Sequence, residues 1–177
     1  MTPARSIVLV GMMGAGKSSV GRCLERRTGL RRFDTDESVS RQFGKSIPEI
    51  FSESGEQEFR QAEADTLARL NPPHPLVIVT GGGIVLREEN IQHLKRLGIV
   101  IWLDADEETL FERASRRGNR PLLQTADPRS SLARIVTERR PLYTRAADIR
   151  IDTTNRGHDE VADLILSEVE SRTVGAA

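Results

Sequence analysis

The sequence predicts an α/β fold with a parallel sheet covered on both faces. Three observations carry that expectation. Short, continuous apolar runs recur at residues 7–10, 76–79 and 99–103. Unbroken rather than alternating apolar runs suit strands buried on both faces. Between them lie longer stretches whose apolar residues return at helical spacing. The length, 177 residues, fits a single domain with a core of its own.

Taken in chain order, Ile7-Val8-Leu9-Val10 is the first strand. It runs into a glycine-rich turn, and a helix-compatible stretch over 19–27 runs out of it. Arg32-Phe33-Asp34 is a short strand, placed mainly by its position between helical stretches. Phe59, Ala62, Leu67 and Leu70 mark a helix, which the rigid connector Asn71-Pro72-Pro73-His74-Pro75 stops. The strand at 76–79 follows, then a helix marked by Ile91, Leu94 and Leu97, then the strand at 99–103. Gly118-Asn119-Arg120-Pro121 and Ala126-Asp127-Pro128 break the chain and mark a loop. Ile149-Arg150-Ile151 is a short last strand, and Val161, Leu164, Ile165 and Val169 line a last helix. Strand and helix alternate throughout, which is the pattern of a parallel α/β sheet.

Composition narrows the function. Lys plus Arg is 26 and Asp plus Glu is 26, so the chain lacks the basic excess of a general nucleic-acid binder. Cys23 is the only cysteine and cannot pair within the chain, which fits a reducing compartment. No apolar run approaches a membrane span, and the N-terminus has no leader-like apolar region. A cytoplasmic protein is expected. The neutral total is segregated: residues 34–65 carry nine acids and three bases, and residues 112–145 carry nine arginines and three acids. Such segregation suggests a site that holds anions in one place and a metal or hydroxyl in another.

The strongest chemical signal is Gly11-Met12-Met13-Gly14-Ala15-Gly16-Lys17-Ser18, followed by Ser19. It matches the phosphate-binding loop G-x-x-x-x-G-K-[ST], and a strand enters it and a helix leaves it. The glycines let backbone N–H groups converge on phosphate oxygens, and the helix N-terminus adds its positive end. Lys17 is expected at the β- and γ-phosphates, and the Ser18 hydroxyl on Mg²⁺. No guanine-reading Asn-Lys-x-Asp segment is present, so at this length a small-molecule or nucleotide kinase is the expected class. Such kinases close an arginine-rich lid over the phosphates, and residues 113–129 have that composition.

Three further motifs accompany the loop. Phe33-Asp34-Thr35-Asp36 places two carboxylates at i and i+2 beyond a strand, expected on one side. One could hold Mg²⁺ through water and the other could orient or deprotonate an attacking hydroxyl; a helix N-cap is the competing role. Thr80-Gly81-Gly82-Gly83 lies at a strand's carboxyl end, where a small ligand can approach the backbone. Arg60 and Glu63 are i,i+3 neighbours in Gly55-Glu56-Gln57-Glu58-Phe59-Arg60-Gln61-Ala62-Glu63. An arginine fixed this way can grip a carboxylate or phosphate, although the pair by itself reads as a surface salt bridge. Asp104, after the strand at 99–103, has the look of a metal-binding aspartate but could equally cap a helix starting near Asp106.

These motifs in this order resemble the shikimate kinase family, together with Arg-Pro-Leu-Leu at 120–123 and Arg-Arg-Pro-Leu-Tyr at 139–143. The resemblance covers nearly the whole chain. It implies a three-layer α/β/α fold whose five parallel strands are ordered 2-3-1-4-5, a substrate-binding region at about 36–64 and a lid at about 114–126. It implies transfer of the γ-phosphoryl group of ATP to the 3-hydroxyl of shikimate, with Mg²⁺. Asp36 matches the ring-hydroxyl ligand and base, and Asp34 the aspartate that reaches Mg²⁺ through water. Arg60, Arg139, Gly82 and Gly83 match the groups that hold shikimate. Arg120 matches the lid arginine that reaches the ATP phosphates, while Arg113 and Arg156 lie where the family contacts adenine or nearby atoms. The nucleotide side is completed by Gly14, Ala15, Gly16, Lys17, Ser18 and Ser19. The partners implied are small molecules, with no nucleic acid or membrane, and the chain is expected to be a monomer. A kinase for gluconate or a nucleoside monophosphate, and a non-catalytic sensor of the same ligands, are the competing readings.

Overall fold

The structure is a computed structural model that describes residue 3, residues 5–116 and residues 121–174. One sheet of five strands, counted among the described residues, forms its centre. The strands are β1 (Ser6–Val10), β2 (Arg32–Asp34), β3 (Val77–Val79), β4 (Gly98–Asp104) and β5 (Ile149–Asp152). Their order is β2-β3-β1-β4-β5, and every neighbouring pair is parallel. The order expected from the family resemblance is therefore observed. Each strand lies within one residue of its expected bounds. β1 occupies the middle, and Ile7, Val8, Leu9 and Val10 have no exposed surface. A strand with sheet on both sides and helices on both faces has no room for a polar side chain, hence the unbroken apolar run.

Parallel strands need long crossovers, and helices supply them. The helices are α1 (Lys17–Thr28), α2 (Thr35–Phe43), α3 (Ile47–Ala68), α4 (Glu88–Leu97), α5 (Glu107–Ser115), α6 (Pro128–Ala146) and α7 (His158–Val174). α1 packs with α7, and α4 packs with α6, so two helix layers cover the sheet. α3 is not one straight rod: Gly55 breaks it with φ 80° and ψ 166°. No helix among the described residues is long and apolar enough to cross a membrane. Besides the main core, Val39, Ile50, Phe59 and Ala62 form a small separate one between α2 and α3.

Local chemistry fixes where the helices begin. Gly16 stands at the N-cap of α1 with no side chain to cap it. The first-turn N–H groups are thus left for a ligand. Asp34 ends β2 and caps α2, accepting from the N–H groups of Asp36 at 3.0 Å and Glu37 at 3.3 Å. Asp34 and Asp36 do not lie along one strand. Asp36 belongs to the first turn of α2, so the helix start, not strand pleating, aims it. The Thr35 hydroxyl accepts the Gly81 N–H at 3.1 Å, which ties this helix start to the turn after β3. The turns after β1, β2 and β3 thus meet at the carboxyl edge of the sheet, where open α/β sheets bind ligands.

Candidate active site

A cavity of about 290 Å³ opens at that edge. Gly14, Gly16, Lys17, Ser18 and Ser19 form one wall, and Asp34, Asp36, Thr80 and Gly82 face them. Arg113, Arg116 and His158 close the far side. Gly14 has φ 85°, and a Cβ there would lie 2.4 Å from the Leu110 carbonyl oxygen, so only glycine fits. Ala15 is buried behind the loop. The Lys17 ammonium donates to the Gly11 carbonyl at 2.7 Å and the Met12 carbonyl at 2.9 Å. The charge is thereby held at the loop, beside the open N-terminus of α1. Together they make a cationic seat for phosphate.

A second, smaller cavity adjoins the first. Met13, Asp36 and Gly82 line both. Its other walls include Phe51, Phe59, Arg60, Gly83 and Arg139. Arg60 is held from several sides. It donates to Glu63 Oε2 at 2.9 Å and to Glu56 Oε1 at 3.1 Å, and its guanidinium lies 5.1 Å from the Phe59 ring centre. A Cβ on Gly83 would sit 2.3 Å from the Arg60 guanidinium carbon. A Cβ on Gly81 would meet Glu63 Oε1 at 2.4 Å and Asp36 Oδ1 at 2.5 Å. The glycine run exists because charged side chains crowd its surface. Arg139 is 6% exposed and points a guanidinium nitrogen toward Gly82.

The model of the shikimate kinase family matches residues 13–170. Curated shikimate kinases are similar over most of their length. One from Bradyrhizobium diazoefficiens is 42% identical over 97% of this chain and 83% of its own. One from Symbiobacterium thermophilum is 45% identical over 94% of this chain and 97% of its own. A solved shikimate kinase from Acinetobacter baumannii, in complex with shikimate, superposes with TM-score 0.91 at 38% identity, covering 97% of this chain and 95% of that one. The chain belongs to the shikimate kinase family. It is an ATP-dependent kinase for shikimate.

Several residues of this shikimate kinase stand differently from their expected places. The Arg60–Glu63 pair is not at the surface: Glu63 has no exposed surface. Burial pushes its carboxyl from the ordinary 4.5 to about 7, with Arg60 pulling back and the nearby Asp36 carboxylate adding to the rise. Burial also raises the Asp34 carboxyl above its ordinary value, against the two N–H donors of α2. Asp104 is a structural anchor. It accepts from Arg150 at 2.7 Å and 3.2 Å and pairs with Arg140 at 3.6 Å. Asp106, not Asp104, caps α5, accepting from the Thr109 N–H at 2.7 Å.

Arg113 lines the phosphate cavity and also donates to the carbonyls of Thr153 at 2.8 Å and Thr154 at 3.1 Å. It therefore fixes the turn between β5 and α7. Arg156 pairs with Glu160 of α7 at 3.4 Å and is not among the residues that line this cavity. Arg120 lies outside the described residues, as does the middle of the expected lid.

Sequence reasoning gave no individual role to His158, to Arg116 of the arginine-rich segment, or to Tyr143 at the end of the motif at 139–143. His158 packs on Gly16 of the phosphate loop, 3.4 Å from where its Cβ would be. Nothing in its neighbourhood in sequence announces that contact. Glu63 did have a legible signal. It lies four residues after Phe59 and four before Leu67, both buried, so it falls on the apolar stripe of α3.

Proposed function

We propose that the two joined cavities bring the γ-phosphoryl group of ATP and the 3-hydroxyl of shikimate together at Asp36. The observation that carries this reading is that Asp36 lines both cavities. Backbone N–H groups from Gly14 to Ser19, with Lys17, take the phosphates. Arg60 and Arg139 grip the shikimate carboxylate from two sides, and Gly82 and Gly83 offer backbone at its ring. Asp36 orients the 3-hydroxyl and accepts its proton while the hydroxyl oxygen attacks phosphorus and ADP departs. Arg113 and Arg156 belong to the nucleotide side, and Arg120 closes over the phosphates as part of a lid at about 114–126. Pro121 and Leu122 on the acceptor cavity support that lid assignment. The separate small core between α2 and α3 supports residues 36–64 as the acceptor-binding region.

The residues fit Mg²⁺. The Ser18 hydroxyl and the Asp34 carboxylate are hard oxygen donors lining the same cavity. Mg²⁺ commonly uses one or two such groups and takes the rest from phosphate and water. When bound it neutralises phosphate charge, and Ser18 and, through water, Asp34 would hold it. Cys23 is buried and free, in keeping with a reducing, cytoplasmic setting.

The test is shikimate-dependent ADP release by the wild type and two variants. Asp36→Asn should lower kcat by roughly 10²–10⁴-fold while ADP still binds. Arg60→Ala should raise the shikimate KM and leave the ATP KM nearly unchanged. An unchanged kcat in Asp36→Asn would remove Asp36 from the chemistry.

A further inference from the structure

Tyr143 is 1% exposed and lies one helical turn after Arg139 on α6. Its hydroxyl donates at 2.5 Å to the Gly82 carbonyl oxygen, on the turn after β3. The positive charge of Arg139 acts on the same hydroxyl, and Arg139 Nη1 lies 3.7 Å from where a Cβ of Gly82 would stand. The three groups admit one polarity only. A carbonyl oxygen can only accept, so the hydroxyl proton goes to Gly82 and the hydroxyl lone pairs are left to the positive charge of Arg139. The ring is fixed from behind by Trp102 of β4, with centroids 5.8 Å apart and planes at 22°.

We infer that the Tyr143 hydroxyl is a positioning group for the acceptor cavity, fixing the Gly82 peptide and the Arg139 guanidinium in one arrangement. The inference rests on the assignment of Gly82, Gly83 and Arg139 to shikimate binding. A trans peptide points its C=O and N–H in opposite directions. With the Gly82 oxygen drawn onto Tyr143, the Gly83 N–H is directed away from α6. The same hydroxyl limits the rotation of Arg139, whose planar fork must match a carboxylate. Without it, both donors keep their chemistry and lose their aim. Tyr143 touches no reacting atom, so its effect should fall on acceptor binding.

Tyr143→Phe keeps the ring and its stack and removes only the hydroxyl. The expected result is a rise in shikimate KM of about tenfold, the scale of one buried charge-linked hydrogen bond, with the ATP KM within about twofold of wild type. A merely structural role would lower thermal stability and move both KM values together. Arg139→Ala is the companion variant. If it leaves the shikimate KM unchanged, the site assignment itself fails. If it raises the KM and a folded Tyr143→Phe does not, only the inference about Tyr143 is overturned.

A second measurement needs no variant. Tyr143 is the only tyrosine in the chain, so 3-fluorotyrosine incorporated throughout labels this position alone. Its ¹⁹F resonance should move on adding shikimate and move less on adding ADP. A resonance unmoved by saturating shikimate overturns the inference, even if Tyr143→Phe does not fold.

Discussion

Glu63 has no exposed surface, and its two carboxylate oxygens face different neighbours. Oε2 accepts from Arg60 at 2.9 Å, while Oε1 is buried without a hydrogen-bond partner among the described residues. A buried charge with half its acceptor capacity unused is costly, which is why burial lifts the carboxyl to about 7. Arg60 draws its fixed position from this pair. The same burial has a measurable consequence for stability. Between pH 4.5, the ordinary value, and about 7, the folded chain keeps a proton that the unfolded chain has released. Stability therefore falls as pH rises through that window and is level above it. Glu63→Gln cannot titrate. The unfolding free energy of Glu63→Gln minus that of wild type should therefore grow from pH 5 to pH 7, in denaturant titrations at each pH. A difference that stays flat would mean that Glu63 is ionised throughout.

The start of α2 shows one residue serving an element and a site at once. Asp34 caps the helix, binds Arg32 at 3.1 Å and lines the phosphate cavity. Capping and metal binding can be separated, because an amide oxygen caps nearly as well as a carboxylate. Asp34→Ala should cost about 1 kcal/mol of stability, or roughly 2–4 °C in Tm for a chain of this size. Asp34→Asn loses the Arg32 bond but should lose less stability. Both variants should need more Mg²⁺ for half-maximal rate. If Asp34→Asn keeps the wild-type Mg²⁺ requirement, the carboxylate has no part in holding the metal. Elements were the most legible level of this chain. Strands announce themselves by local runs such as Ile7-Val8-Leu9-Val10, and the connector after α3 by its prolines. Asp34 and Asp36 share a side as their spacing suggests, but the helix starting at Thr35, rather than the three-residue β2, aims Asp36. The break at Gly55 was unread because the helical pattern was marked only from Phe59 onward.

The whole molecule is formally neutral, yet its catalytic edge is not. Three arginines of residues 112–145 pair with carboxylates elsewhere in the fold: Arg129 with Glu108 and Arg145 with Glu88 at the surface, and Arg140 with the buried Asp104. Among the described residues of that stretch, Arg113, Arg116 and Arg139 line the cavities, joined there by Lys17 and Arg60. The residue types of the site could be read from the sequence, because phosphate and carboxylate demand them. Contacts such as Tyr143 to Gly82, 61 residues apart, could not, since only packing across the sheet creates them. This division of charge predicts two separable stabilisations by ligand. A ligand at about 100 times its Kd adds about 2.7 kcal/mol, and at this size that is about 5–11 °C in Tm. MgADP and shikimate, added singly in thermal melts, should each raise Tm on that scale. Arg139→Ala should abolish the shikimate shift and keep the MgADP shift, while Lys17→Ala should do the reverse. Loss of both shifts in either variant would mean that the two cavities act as one binding unit rather than as neighbours meeting at Asp36.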